Sequence, residues 1–446
     1  MKLHIRLLAF VLSIFYYSLV GASPRIFPTG VTLYNPAKAY NSYVLFAGAD
    51  DITHLIDMNG NDVHSWPYPG QPSELLDPNV TGGKLGHVLV QLKNGVGSFN
   101  NKEIGEVDWN NNIVWQWGKQ APDGEAQQHH DWYRLVNGNT LVLSHIKSVV
   151  FGYSNVTDDV IYEVTPAGSI VWKWIASEHI NEFGISPEGI EYLKKRLAQS
   201  NESNRSLDYL HINDMHVIGD NHWFKAGDVR FNPSNIVFDS RNANFVAIID
   251  KQTGKITWRL GPNFPDTKII TPKDKGLRTV DQIAGQHDAH IIAEGLPGAG
   301  NLLLFDNQGS AGYPPVDVRS TSRVLEINPI TLQIVWEYKG SLSGNSDRSF
   351  FSSYISSARR LPNGNTLINE GMNGRFFQVT PQGEIVWEYV SPYISKTKEG
   401  EKKSFNNTVY RAQPIPYDWV PQGTPHSEIA VEEIDVTKFR LPAQNK

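Results

Sequence analysis

Apolar and polar positions fall into one recurring phrase along this chain: apolar, polar, two or three turn residues, then an apolar run closing on tryptophan. It reads YEVTPAGSIVWKW at 162–174, IIDKQTGKITWRL at 248–260, LEINPITLQIVWEY at 325–338 and FQVTPQGEIVWEY at 377–389. Looser copies are GEVDWNNNIVWQW at 105–117 and LIDMNGNDVHSW at 55–66. Each copy predicts a strand, a tight turn bearing Gly, Asn or Pro, and a second β-branched strand. A second phrase alternates with it. Asn137-Gly138-Asn139 precedes TLVLS, Gly219-Asp220-Asn221 precedes HWFKAG, Gly298-Ala299-Gly300-Asn301 precedes LLLFDN, and Asn363-Gly364-Asn365 precedes TLINEG. Each is a turn signal before a short apolar run.

Two hairpins make a four-stranded unit. The tryptophans Trp66, Trp115, Trp172, Trp258, Trp336 and Trp387 recur at intervals that fit a unit of ~40–50 residues plus insertions. The pattern predicts an all-β chain folded as a six-bladed β-propeller with four-stranded blades, because radial repetition protects sheet edges. The tryptophans are expected to pack between blades. Residues 23–100 read as a first blade or a small appended β module, and 101–392 as the propeller repeats. A helical insertion is expected near 178–205, where Ser186 caps, Pro187 opens and EYLKKRLAQ follows. Residues 393–446 read as an extended C-terminal tail packing on the propeller or closing a blade.

Composition narrows the setting. Residues 1–22 read as a signal peptide: Lys2 and Arg6, an apolar run over 7–20, then Val20-Gly21-Ala22. The expectation is an exported protein, periplasmic in a bacterium and extracellular in a eukaryote, with no membrane span in the mature form. Cysteine is absent, so there is no disulfide framework and no thiolate chemistry. A net charge of −6 argues against a nucleic-acid partner. Asn-X-Ser/Thr sequons start at Asn79, Asn155, Asn201, Asn204 and Asn406.

The repeat makes the histidines interpretable. His130, His211 and His287 each lie eight residues before a glycine, Gly138, Gly219 and Gly295; Ser356 has the same spacing to Gly364. Strand starts converge on a propeller axis, so three imidazoles are expected to face one funnel. Asp131 and Asp288 follow two of them, and Asn213 follows His211 by two. His129, His216 and His290 are candidate extra members, although strand alternation favours packed or solvated histidines at those positions. Arg241, Arg323 and Arg375 recur ahead of the tryptophan phrase, and guanidinium beside imidazole suits an oxyanion.

The segments GVTLYNPAKAYNSYVLF, HINDM, QHDAHI, FDNQG, SRVLEI and the repeated IVWEY together resemble the aryl-sulfate sulfotransferase family of exported proteins, over roughly residues 29–392. The resemblance implies a six-bladed propeller with an axial funnel and no cofactor. It implies transfer of a sulfuryl group from an aryl sulfate to a phenol, through a sulfated histidine and without a nucleotide donor. The family's supporting histidines map onto His211 and His287. The sequence departs from the pattern where the family's nucleophilic histidine belongs. The segment NEGMNGRFFQV has no histidine, and Arg375 stands about there. The family arginine after FDN is also missing; Ala311 stands there, with Arg319 and Arg323 nearby. On this reading His287 replaces the nucleophile or acts as base. His211 and His130 orient the ester or take the phenolic proton. Arg375, Arg323 and Arg241 hold the oxygens, and Asn213 and Asp288 join Arg241 in substrate binding.

Three other readings stay open on the sequence. The missing histidine favours a non-catalytic propeller that binds an anionic or aromatic ligand in the same funnel. IIDKQTGKITW also resembles the tryptophan-docking repeats of quinone-dependent propeller oxidoreductases, whose adjacent cysteine pair cannot exist here. His130, His211 and His287 could instead hold zinc through three imidazoles, although no metal is expected.

Overall fold

The computed structural model describes residues 28–94, 100–264, 278–395 and 406–433; the signal segment and the KTKEGEKK patch lie outside them. The chain is mostly β and forms a β-propeller. Its sheets, antiparallel apart from the short pairing of Val156–Thr157 with Leu207–Asp208, follow chain order around a ring. Ala412–Ile415, Tyr43–Ala47, Thr53–Ile56 and Asp62–Trp66 form one four-stranded sheet. A nine-stranded sheet holds two four-strand sets, Glu74–Leu75 through Ile113–Trp117 and Gln128–Arg134 through Ile170–Ile175. These sets touch through the single pair Asn101–Gln128. Strands over 212–260 and over 287–338 form two more four-stranded sheets. The last sheet, over 357–390, gains Gly30–Tyr34 as a fifth strand against Ile385–Val390.

Strands near the start and the end of the described residues therefore close the ring. The first strand pairs with the last repeat, and Ala412–Ile415 pairs with Tyr43–Ala47 as the innermost strand of the first sheet. Side chains then link one innermost strand to the next. Asp131 accepts from Met215 N (2.9 Å), Asn213 donates to Gln286 O (3.1 Å), and Asp288 accepts from Ala358 N (3.0 Å). Ser357 accepts from Ala412 N (3.5 Å), and Gln413 brackets Leu75 through its N–H and carbonyl.

Tryptophans repeat the same closure at the outer rim. Each indole N–H donates to a carbonyl in the outer turn of the next unit: Trp66 to Asp108, Trp117 to Gly168, Trp174 to Gly254, Trp258 to Pro329, Trp336 to Pro381, and Trp387 back to Met58. The hydrogen bond contributes about 1 kcal/mol. The indole's apolar area, about 150–250 Å², is worth a gross ~4–6 kcal/mol at ~25 cal/mol per Å². Packing therefore dominates, and the hydrogen bond sets orientation. Two of the expected positions shift by one strand period. Trp117 and Trp174 hold the next unit, whereas Trp115 and Trp172 stack against Arg134 and Lys251.

The helical insertion is present as Pro187–Glu202, with Ser186 Oγ accepting from Gly189 N. The run HWFKAG is not a strand. Asn221 accepts from Phe224 N and turns His222–Lys225 into a helix, so the connection over 218–235 is an excursion rather than a tight turn. Among the described residues no helix is long and apolar enough to cross a membrane.

Candidate functional site

The starts of the innermost strands meet on the axis. His130 lies within Gln128–Arg134, His211 immediately precedes Ile212–Val217, and His287 opens His287–Ile291. His130 and His211 adopt left-handed backbone, φ 57° and 52°. Such positions cost of order 1–3 kcal/mol each and persist only where surrounding structure fixes them. The rings of His130 and His211 are 4.5 Å apart between centroids. Tyr410, from the segment leading into Ala412–Ile415, stacks on His130 at 5.5 Å and meets His287 edge-on at 6.4 Å. Its hydroxyl donates to Asn213 O at 2.6 Å. The three histidines thus share one cluster with Tyr410.

Their nitrogens are not equivalent. His287 is saturated: Nδ1 bonds Asn307 Oδ1 (2.7 Å) and Gly285 O (3.0 Å), while Nε2 accepts from Ile355 N (3.1 Å). Burial, then the neighbouring Arg241 charge, push it down to about 3. It stays neutral with its lone pair engaged, which removes the basis for casting it as the nucleophile. His130 is buried, with Nδ1 unpartnered, and burial together with the His211 ring holds it well below the ordinary histidine value. His211 is the accessible ring, its side chain 25% exposed. Its Nδ1 lies 2.5 Å from Asp208 Oδ2, and its backbone N–H donates to Oδ1 of the same carboxylate (3.0 Å). Burial works against the Asp208 charge, but the His211 ring outweighs it and keeps the carboxylate below its usual value. Asp208 therefore fixes the tautomer that leaves the His211 Nε2 lone pair free.

The arginines separate in the same way. Arg241 borders the histidine cluster, with its N–H on His211 O (3.2 Å) and Nη1 on Asn242 Oδ1 (2.9 Å). It has no carboxylate partner among the described residues. Arg323 is enclosed by Asp306, Asp281 and the Gln282 carbonyl. Arg375 is held by Glu370 (2.9 Å) and Glu388 (2.6 Å) and lies over Phe377. Neither joins the histidines: guanidinium beside a buried carboxylate is already neutralised, so neither is placed to hold a substrate oxygen. The segment after NEG supplies no histidine either. Glu370 accepts from Phe351 N, and the loop over 351–356 gives the Ile355 N–H to His287.

A second layer lies one residue deeper. Strand register counts back from the pairs Arg134–Thr140, Val217–Ile236 and Ile291–Leu302. On that count Asp131, Asp214 and Asp288 share one position, and His130, Asn213 and His287 the position before it. His211 is two places earlier than the glycine spacing implies, because Gly219 begins the helical excursion. Counting back from Ile415–Tyr43 puts Arg411 at the His130 position. Arg411 hydrogen-bonds Asp131 Oδ1 (3.0 Å) and Asp214 Oδ1 (2.7 Å) and lies in ion-pair range of Asp288 Oδ1 (3.2 Å). Asp288 also holds Arg359 (2.5 Å), so it belongs to this network and not to a substrate contact. Three carboxylates balance Arg411, Arg359 and His216, which Asp214 raises to about 9 against its own burial. Past this layer the axis opens into a cleft of about 230 Å³ bordered by Glu74, Tyr133, His216 and Arg359.

Sequence reasoning missed Asp208, Tyr410 and Arg411. Asp208 stands three residues before His211, and a carboxylate at that spacing was the available signal. Nothing local marks Tyr410 or Arg411, whose positions follow from ring closure.

The arylsulfotransferase (ASST) family model matches residues 86–414. No match was found among curated proteins. Similar solved structures include a protein of unknown function from Bacteroides caccae (12% identity, 84% of this chain and 99% of that one, TM-score 0.45). Virginiamycin B lyase from Staphylococcus aureus is similar at 12% identity, covering 82% and 85%, with TM-score 0.36. The Swd1 β-propeller domain from Myceliophteria thermophila is similar at 8%, covering 83% and 90%, with TM-score 0.37. Likenesses this distant carry no argument about chemistry.

Proposed function

Because this chain belongs to the arylsulfotransferase (ASST) family, we propose that it moves a sulfuryl group from an aryl sulfate ester to a phenolic acceptor in the axial chamber, without a nucleotide donor. We read the ring as six blades, with each half of the nine-stranded sheet as one blade and the six tryptophan contacts as the joints. The observation that carries the functional reading is the His211–Asp208 pair: an accessible ring, one nitrogen anchored on a carboxylate, the other free, beside an arginine that makes no ion pair among the described residues.

In this reading His211 takes the role that the family gives to its missing histidine. Nε2 attacks sulfur, the N–S bond forms, and the ester S–O bond breaks with its electron pair leaving on the phenolate. Asp208 stabilises the cationic ring as it develops. Arg241 faces the negative charge spread over the sulfuryl oxygens. The acceptor phenol then attacks sulfur, the N–S electrons return to Nε2, and the phenolic proton passes by way of His130 Nδ1 to the phenolate released in the first step, which restores both histidines. His287 is a positioning residue, holding the Ile355 turn against the chamber.

The test uses the full chain, an artificial aryl sulfate and a phenol acceptor. Sulfate on the acceptor, with a transient mass gain of one sulfuryl group on the peptide carrying His211, supports the proposal. Sulfate released only to water makes the protein a hydrolase. Binding without turnover favours the ligand-binding reading, which the missing family histidine also favours.

A further inference from the structure

Glu74, Trp132, Tyr133, His216 and Arg359 border the axial cleft beyond the aspartate layer, and the mechanism above uses none of them. They stand on Glu74–Leu75, Gln128–Arg134, Ile212–Val217 and Ser357–Arg360. Four strands from different parts of the ring therefore face one space of about 230 Å³.

These groups are held in place, yet their polar atoms are not satisfied. Glu74 pairs with Leu89, and Gln413 brackets the adjoining Leu75, so its backbone is fixed. Its carboxyl makes no hydrogen bond or ion pair among the described residues. The Tyr133 hydroxyl makes none either, and its ring stands edge-on to His216 at 5.9 Å. Trp132 is buried with an unpartnered indole N–H. His216 pairs through Nε2 with Asp214 Oδ1 at 3.0 Å, and its Nδ1 has no partner among the described residues. Arg359 gives Nη2 to Asp288, while Nε and Nη1 have none. An acid and a guanidinium thus border one small cleft without pairing, although opposite charges screened from water attract strongly. Asp288 holds one back and the short strand holds the other. Unpartnered polar groups converging on an enclosed space are the usual mark of a ligand site.

We propose that this cleft binds a small zwitterion of the amino-acid class, its carboxylate on Arg359 and His216 and its ammonium on Glu74.

Charge selects that class. In the layer beneath, Asp131, Asp214 and Asp288 already balance Arg411, Arg359 and His216, so Glu74 is the acid left over. A simple anion would meet Arg359 and His216 but set a second negative charge beside Glu74. A simple cation would meet Glu74 but leave the donors of Arg359 and His216 unused. A zwitterion meets both sides and adds no net charge to a poorly solvated space. Guanidinium presents donors in the fork that a carboxylate accepts. Trp132 and Tyr133 offer apolar wall to a side chain. The volume equals roughly eight waters at ~30 Å³ each, so the ligand is small.

Protonation gives the site a signature. Glu74 is faced by Asp131, His216, Arg411 and Arg359, by Tyr133, and by Arg134. Burial first, then Asp131, raise it to about 7. An ammonium partner favours the carboxylate, so binding should release a proton and tighten as pH rises through that value. A simple anion would show the opposite trend. His216 stays charged in this range, because Asp214 raises it to about 9 against its own burial.

The experiment is calorimetric titration of the full-length protein with L-alanine and L-valine, and with propionate and ethylammonium, which carry one charge each. One amino-acid molecule should bind per chain, at least about tenfold more tightly than either single-charge probe. Its affinity should rise about tenfold from about pH 6 to about pH 8, following the ionised fraction of Glu74. Glu74→Gln should weaken binding at least about tenfold and remove that rise. Arg359→Lys, which keeps a cation for Asp288 but loses the fork, should weaken binding about tenfold. Propionate binding as tightly as the amino acids, with affinity falling as pH rises, would make this an anion site. Ethylammonium binding as tightly would make it an acidic cation site. Binding of neither amino acid would leave a water-filled cleft. Each of these three results overturns the proposal. Glu74→Gln, nearly unchanged in shape, keeps the test valid if Arg359→Lys fails to fold. The readout does not depend on sulfuryl transfer, so either proposal can fail alone.

Discussion

Arg411 donates from Nη2 to Oδ1 of Asp214 at 2.7 Å, although 197 positions separate them in sequence. This contact lies on the axis and ties the last inner strand to three others through Asp131, Asp214 and Asp288. Arg411→Ala leaves three buried carboxylates short of one cation. Breaking a buried ion pair from one side costs about 3–5 kcal/mol. Urea denaturation should register that loss; a change under about 1 kcal/mol would show that the axial network is not what holds the ring.

His211 and Asp208 act as one unit in the proposed mechanism. His211→Ala should remove transfer and the sulfated peptide. Asp208→Asn should lower kcat by roughly 10²–10⁴ with little change in KM, because the ring loses its tautomer and the partner of its charged form. His287→Asn should cost no more than about 10²-fold, the scale of a displaced but intact site. Steady-state kinetics would reject the assignment if His287→Asn proved the more damaging change.

Arg241 and Arg375 should separate cleanly. Arg241→Ala should lower kcat by about 10²–10³, the effect of losing one preorganised oxyanion donor, and stability by about 1 kcal/mol or less. Arg375→Met strips the cation from buried Glu370 and should cost about 3–5 kcal/mol of stability. Well below its Tm, the folded fraction of Arg375→Met should keep near-normal kcat. Equal kcat losses in both variants would contradict the placement of Arg375 outside the site.

Glu74 offers a pH test at the opposite end of the axis. Burial first, and Asp131 second, push its carboxyl up from about 4.5 to about 7, against His216, Arg411 and Arg359. Between those pH values the native state keeps a proton that the unfolded chain has lost, so stability falls as pH rises. The loss is at most about 3 kcal/mol, reduced by water in the cleft. Glu74→Gln should flatten that segment of the stability curve and make the protein the more stable of the two at pH 8. Thermal melts from pH 4.5 to 8 measure it, and parallel curves for the two proteins refute the shift.

The sequence alone determined the repeat. Period-two alternation, turn residues and the closing tryptophan are local signals, and a strand needs no more than its own side chains and the next turn to declare itself. It also marked His130, His211 and His287 as neighbours, since every unit delivers its strand start to the same axis. Only the tertiary structure decided what each nitrogen and guanidinium does. His287 is quenched by the Ile355 amide, His211 is freed by Asp208, and Arg375 is spent on Glu370 and Glu388. Ring closure brings Tyr410 and Arg411 from the tail to the axis. The Ile355 amide, Tyr410 and Arg411 arrive across scores or hundreds of positions and leave no periodic trace, whereas Asp208, Glu370 and Glu388 stand near their partners in sequence but only the folded geometry shows which atoms they engage. Hydrogen bonding and ion pairing are set by distance in space and not along the chain.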